Sequence, residues 1–488
     1  MKKASSDLFE LARTLTASER RHFSLRMGKK ELKYGQLLQT LLELPTYDEA
    51  ILIENLSKNG GVKHLSVAKR HLYFLLLDDL LSGRSARIED EVRKGCDYIR
   101  LLRSKGLKSQ AIKLVHRNKK KAYKHELYRP LLDLLELEKK LLGSKTEEKK
   151  LDQLYDEEAR TLRYIDQTNA YWRLASQIGR LQWQYQKMPG ALQQKALQQL
   201  FKDPLLSDIS RAETIQGKIY FLRAKATYFF TVGQPEEAYQ LNKQLLELLE
   251  NSPAFLAQSP EVYLHTFNNF LIDSLQMKHF EAFTTGLEKL SALSSQSAFR
   301  SIKNLDAQLF RQRYLLEING YLSMGLIERA GALVPEIERG LYRYGSKLQK
   351  PHRVTFQYLL AYVLWLNGRL EDSLHWIHEL MHEKEDVVLE IFQFARMLNL
   401  LVHFDLGNWE HLSYRLPSTR RYLRQRRELY QTELALFQHL QKAINTPAQE
   451  LPALHKKFSD TIEGLYTNPG EKRFFNYIDL VIWLQAKN

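Results

Sequence analysis

The fold is decided by the reading of Phe221–Glu250, FLRAKATYFFTVGQPEEAYQLNKQLLELLE. Apolar and small residues recur at helical spacing as far as Val232. Gly233 then stops the helix, because glycine takes the left-handed conformation that ends one. Pro235 opens the next helix, where its missing N–H costs nothing. Glu236 and Glu237 in the first turn suit the helix dipole. Ala238 is small enough to let two helices approach at the corner, and Leu241, Leu245, Leu248 and Leu249 follow as one apolar stripe. The segment therefore reads as an α-hairpin with one apolar face that it cannot bury alone.

The same grammar recurs along the chain. Leu322-Ser323-Met324-Gly325 leads into Ile327-Glu328-Arg329-Ala330, Leu366-Asn367-Gly368 into Leu370-Glu371-Asp372-Ser373, and Phe404-Asp405-Leu406-Gly407 into Trp409-Glu410. A degenerate copy surrounds Lys278, and an early one turns at Gly106 before Gln110-Ala111. The corners at 233, 278, 325, 368 and 407 lie 45, 47, 43 and 39 residues apart, and the gap of 127 back to 106 suggests three such units. A repeat of this length, each unit a helix, a short turn and a helix, predicts an all-α protein of the α-solenoid kind. Such a protein is a right-handed superhelix of antiparallel helix pairs that stack to bury their apolar faces.

Val232-Gly233-Gln234-Pro235-Glu236-Glu237-Ala238 resembles the inter-helix turn of the tetratricopeptide repeat, and Leu366–Leu374 is similar, with Ser373 at the alanine position. Ala226 and Phe229 stand where that repeat carries its second glycine and its tyrosine, while the rest of its first-helix pattern is missing and the period here is longer. The resemblance implies partner binding and no more. It divides the chain into an N-terminal module at 1–83, a tetratricopeptide-like array at 84–430 and C-terminal capping helices at 431–488.

The N-terminal module reads as four helices. Thr16-Ala17-Ser18-Glu19 is a capping box before a helix to about Met27. Glu31–Leu44 is stopped by Pro45, Asp48–Lys58 by Gly60-Gly61, and Leu65–Leu81 is strongly apolar. Leu15–Phe23 and Ser66–Tyr73 resemble the start of a group of uncharacterised bacterial helical-repeat proteins, which implies no activity. Loops are expected at Gly143–Thr146, Met188–Gly190 and Asn251–Pro260, with a final helix at about Lys472–Gln485.

No apolar run is long enough for a membrane span, and the N-terminus carries no signal-like apolar region. One cysteine, Cys96, excludes an intramolecular disulfide and fits a reducing, cytoplasmic setting. Of the net charge of +15, residues 1–130 carry about +13. Arg100–Arg129 holds eleven Lys/Arg against one acid, Glu126, and Arg415–Arg427 holds six arginines and no acid. Patches of this kind attract phosphates or acidic proteins, although most charge runs on helices are solvated faces. The candidate partner-binding residues are Lys113, Arg117, Lys119, Lys120, Lys121 and Lys124 in the first patch. Arg420, Arg421, Arg424 and Arg427 are those of the second.

His378-Glu379-Leu380-Met381-His382 matches the helical H-E-x-x-H pattern of zinc hydrolases. The charged Glu383 and Lys384 that follow, and the hairpin role of this helix, favour an exposed histidine-bearing face instead. A third ligand would have to come from Glu390, Asp405 or His403. Cys96 reads as a small buried helix residue. No phosphate loop, nucleophile elbow or dinucleotide motif occurs, so no cofactor is expected.

Tyr123 and Tyr128 among lysines, Tyr342 and Tyr344 around Arg343, and Tyr422 among arginines mix rings with cations, as single-stranded nucleic-acid binders do. The leading expectation is a non-enzymatic scaffold that binds a peptide or protein, an acidic one where the basic patches take part, on a partly basic helical surface. Nucleic-acid binding is the alternative, with residues 1–83 either a cap or a separate reader.

Overall fold

The computed structural model describes residues 6–27, 32–58, 64–82, 88–142, 148–187, 191–447, 449–468 and 470–485. Among these residues every regular element is an α-helix or a short 3₁₀ turn, and none is a strand. The chain forms two compact units, Met1–Thr161 and Leu162–Asn488. No described helix is long and apolar enough to cross a membrane.

The first unit contains α1 (Asp7–Thr14), α2 (Ala17–Met27), α3 (Leu32–Glu43), α4 (Glu49–Lys58), α5 (Leu65–Ser82), α6 (Ile88–Ser104), α7 (Lys108–Lys124), α8 (Tyr128–Leu141) and the start of α9 (Glu148–Lys187). It holds two apolar cores, one built from Leu8 to Leu76 and the other from Val92 to Leu154. The expected capping box opens α2: the Thr16 hydroxyl accepts from the Glu19 amide at 3.2 Å, and the Glu19 carboxylate accepts from the Thr16 amide at 2.7 Å. The four expected helices are preceded by a fifth, α1, which commits Leu8, Phe9 and Ala12 to the first core.

The second unit contains the rest of α9, then α10 (Ala191–Phe201), α11 (Ile215–Thr231), α12 (Pro235–Glu250), α13 (Pro253–Gln258), α14 (Pro260–Gln276) and α15 (Phe280–Ala292). These are followed by α16 (Leu305–Ser323), α17 (Ile327–Ala332), α18 (Val334–Tyr344), α19 (Lys350–Leu366), α20 (Leu370–His382), α21 (Leu389–Asp405) and α22 (Trp409–Arg424). The unit closes with α23 (Gln431–Ile444), α24 (Leu451–Tyr466), α25 (Lys472–Phe475) and α26 (Leu480–Gln485). Within it α11/α12, α14/α15, α16/α17, α19/α20 and α21/α22 are hairpins, and α14, α16, α19 and α21 each touch the next in that order.

All six expected corners adopt the left-handed conformation: Gly106, Gly233, Gly325, Gly368 and Gly407 at φ between 70° and 78°, and Lys278 at 55°. Each closes with the same pair of bonds. At Gly368, for example, the Arg369 amide donates to Leu364 O at 2.9 Å and the Gly368 amide to Trp365 O at 3.0 Å, which satisfies carbonyls the helix end leaves open. The fifth residue after every corner is buried: Ala111, Ala238, Phe283, Ala330, Ser373 and Leu412. Ser373 offsets its hydroxyl by donating to Ala361 O at 2.7 Å.

Other expectations are corrected. The 127-residue gap before Gly233 does not hold three equal units, because the 40-residue α9 runs through it. Glu126, at φ 50°, makes a further corner of the same form with no glycine to announce it. The expected loop at Asn251–Pro260 contains α13, and the expected last helix breaks between Phe475 and Leu480. The loops expected at Gly143–Thr146 and Met188–Gly190, and the Gly60-Gly61 stop, lie outside the described residues.

Candidate functional site

The basic patches are divided by their partners. Lys119 Nζ sits 2.8 Å from both Glu138, a buried carboxylate, and Glu157, while Lys121 pairs with Glu91 at 2.6 Å. These two lysines hold helices together within the first unit. Lys113, Arg117, Lys120 and Lys124 remain exposed on α7.

In the second patch Arg427 is committed inward. Its Nη2 and Nη1 donate to the two oxygens of fully buried Glu433 at 2.6 and 2.9 Å, and its Nε donates to Gln393 at 2.9 Å. Tyr422 lies between the guanidinium groups of Arg396 and Arg426, 4.1 and 3.7 Å from its ring centre, and its hydroxyl donates to Glu385. Arg420, Arg421 and Arg424 line a cleft of about 570 Å³ between α22 and α23, over Leu416, Pro417 and Phe437.

His378, Glu379 and His382 are all exposed on α20. Of the carboxylates that could have completed a metal site, Glu390 pairs with Arg473 at 2.7 Å, and Asp405 accepts from Trp365 Nε1 and Trp483 Nε1 at 2.7 and 3.0 Å. The His403 ring lies 4.0 Å from that of His411 and accepts from Asn408. Among the described residues no three His, Cys, Asp or Glu side chains converge on a metal-sized site. Burial pushes the Cys96 thiol up to about 11, so its basic neighbours do not activate it.

A different set of residues gathers on the first helices of the hairpins. A cavity of about 440 Å³ is bounded by Trp172 and Ser176 of α9, Tyr220, Arg223 and Thr227 of α11, and His265, Asn269 and Asp273 of α14. A second, of about 420 Å³, is bounded by His265, Asn268 and Ile272 of α14 and by Arg311, Gln312, Leu315 and Asn319 of α16. His265 and Ile272 line both, so the cavities form one groove along three consecutive hairpins.

The groove is cationic at its centre. Arg311 is half-buried, and its only polar partner among the described residues is His352 at 2.9 Å. A guanidinium only donates, so the His352 Nε2 must accept. Burial lowers the Arg311 pKa, with no acid to oppose it. His265 is lowered by partial burial and then by Arg223 and Arg311, with Glu261 the one opposing acid; His352 is lowered by burial and then by Arg311. Gln312 is 3% exposed, and its Oε1 has no hydrogen-bond partner. At the far end, Asp273 is buried against Asn242 at 2.6 Å, and burial raises its carboxyl to about 6.

Downstream on this face the chain covers itself. Tyr358 Oη of α19 donates to Tyr477 O at 2.9 Å, and the Asp479 amide donates to Tyr362 Oη at 3.0 Å. The Tyr477 ring stacks on Phe394 of α21 at 4.2 Å. Tyr358 and Tyr362 stand ten and six residues before the Gly368 corner. The residues at the same two places before the upstream corners are Leu315 and Asn319 on α16, Asn268 and Ile272 on α14, and Arg223 and Thr227 on α11, and each of them lines the groove.

No protein-family model, curated protein or solved structure matches the chain. Sequence reasoning missed Arg223, His265, Arg311 and His352, because they are scattered over four helices and form no run. They stand 10, 13, 14 and 16 residues before their corners, so no shared position in the repeat announces them either.

Proposed function

We propose that the chain is a non-enzymatic binding scaffold, a tetratricopeptide-like α-solenoid whose first-helix face receives an extended segment of a partner protein. One observation carries this reading: the chain's own Tyr477–Trp483 segment lies on that face at α19 and α21, while the same register on α11, α14 and α16 is an open groove. Stacked helix pairs present such faces as extended binding surfaces.

The test is a displayed peptide library selected on the full-length chain, with enriched peptides re-measured on Asn269→Trp and Asn319→Trp. Both positions are exposed, so the variants fill the groove without touching the core. Selected peptides should lose binding to both. Peptides that bind the filled variants as well as the parent would overturn the assignment.

The nucleic-acid alternative draws support from the Arg420, Arg421 and Arg424 cleft, to which Lys442 adds a fourth cation and no acid contributes a lining residue. A gel-shift titration at two salt concentrations tests it, and no shift at low salt removes it.

A further inference from the structure

Resting on that reading, we infer that the segment bound in the groove is acidic and that one of its carboxylates is held by Arg311. A guanidinium has five N–H donors in a rigid fork suited to a carboxylate. In the second unit Arg427 shows what satisfaction looks like: it grips Glu433 with two bonds and donates a third to Gln393. Arg311 is desolvated to a similar depth yet meets only a histidine nitrogen. A charge partly taken out of water without a counter-ion carries a cost that a compensating ligand would relieve.

The surroundings agree. Arg223 stands on neighbouring α11 and its charge reaches the same groove, where it and Arg311 both lower the pKa of His265. The acid lining it, Asp273, is not among the groups that shift Arg311 or His265, and it is occupied by Asn242. Gln312, almost wholly buried, borders the same groove, and its carbonyl oxygen has no hydrogen-bond partner among the described residues. The groove thus offers a fixed positive centre with a hydrogen-bond acceptor beside it, which fits an extended peptide bearing an Asp or Glu.

The probes are a fluorescein-labelled ten-residue peptide with Glu at alternate positions, its Gln counterpart, and inorganic phosphate as competitor. Binding is followed by fluorescence polarisation on the full chain and on Arg311→Gln. Arg300→Gln, at an exposed position, makes the same charge change outside the groove. The Glu peptide should bind, and Arg311→Gln should weaken it by about tenfold or more, the loss expected when one partner of a desolvated charge pair is removed. Arg300→Gln and the Gln peptide set the background.

A second readout separates binding from folding. Arg311→Gln should unfold at a temperature no lower than the parent, because it removes an unpaired charge; a clear fall would mark Arg311 as structural and overturn the inference. Equal weakening by Arg311→Gln and Arg300→Gln would also overturn it, as would millimolar phosphate displacing the peptide through Arg311 alone. Library peptides that are blocked by Asn269→Trp and Asn319→Trp but indifferent to Arg311→Gln would leave the scaffold reading standing and remove only the acidic ligand.

Discussion

Replacing Arg427 by methionine keeps most of the side-chain length and removes the cation from Glu433. That carboxylate has no exposure, and it takes two guanidinium N–H bonds at 2.6 and 2.9 Å and the Tyr430 amide at 3.0 Å. Without Arg427 a buried charge keeps one backbone donor. Breaking a buried pair from one side costs about 3–5 kcal/mol, against about 0–1 kcal/mol for a surface pair. At about 2 °C per kcal/mol for a body of this size, the melting temperature should fall by about 6–10 °C.

The double variant Arg427→Met/Glu433→Gln removes the stranded charge but keeps an acceptor for Tyr430. It should recover more than half of the loss. Arg421→Gln and Arg424→Gln, on the exposed side of the same patch, should stay within about 0.5 kcal/mol of the parent. Thermal and urea unfolding followed by circular dichroism reads all four. A loss below about 1 kcal/mol for Arg427→Met, or a double variant no better than the single one, would refute the assignment of Arg427 to the interior.

Three further outcomes are expected. Lys278→Gly should raise stability by about 0.5–1 kcal/mol in urea unfolding, because Lys278 holds φ 55° where glycine is unstrained, and Gly368→Ala should lower it by about 1 kcal/mol. His439 is buried neutral against Phe458, and burial lowers its pKa to about 4. A folded value below the unfolded ~6.5 gives stability that is present above pH ~6.5 and is lost as pH falls toward 4, to the order of 3 kcal/mol. Asp273, raised to about 6, acts in the opposite sense, so the comparison that isolates His439 is parent against His439→Phe, whose unfolding free energy should fall less over that range. Cys96, buried and with its thiol raised to about 11, should resist a thiol reagent at neutral pH until urea unfolds the chain; rapid native labelling would contradict its burial.

The corners were legible because their chemistry is local: glycine, a following acidic turn and a small residue act within a few positions of one another. Lys278 was found through the degenerate copy of the pattern around it, with Glu281 and Ala282 following, and Glu126 not at all, since nothing in its residue type marks a left-handed corner. The long α9 escaped notice because a helix that does not turn leaves no punctuation. The patches were legible as composition, but a lysine's partner is a matter of distance in space. Lys119 reaches Glu138 and Glu157, and no count of charges along the chain distinguishes it from exposed Lys120. Arg311 stood out least, because it is one arginine in an ordinary amphipathic helix; its isolation exists only once α14, α16 and α19 are placed together.

Tyr358 and Tyr362 hold the chain's own terminal segment by the carbonyl of Tyr477 and the amide of Asp479, atoms that every residue but proline possesses. Grip of that kind is indifferent to spelling. On the upstream hairpins the corresponding amide side chains, Asn268 and Asn319, can address a visiting backbone in the same manner, which leaves choice among visitors to the charge at Arg311. Tightness and selectivity would then be tuned by separate substitutions, so a redesigned groove could change its preferred guest while keeping its hold on any extended strand.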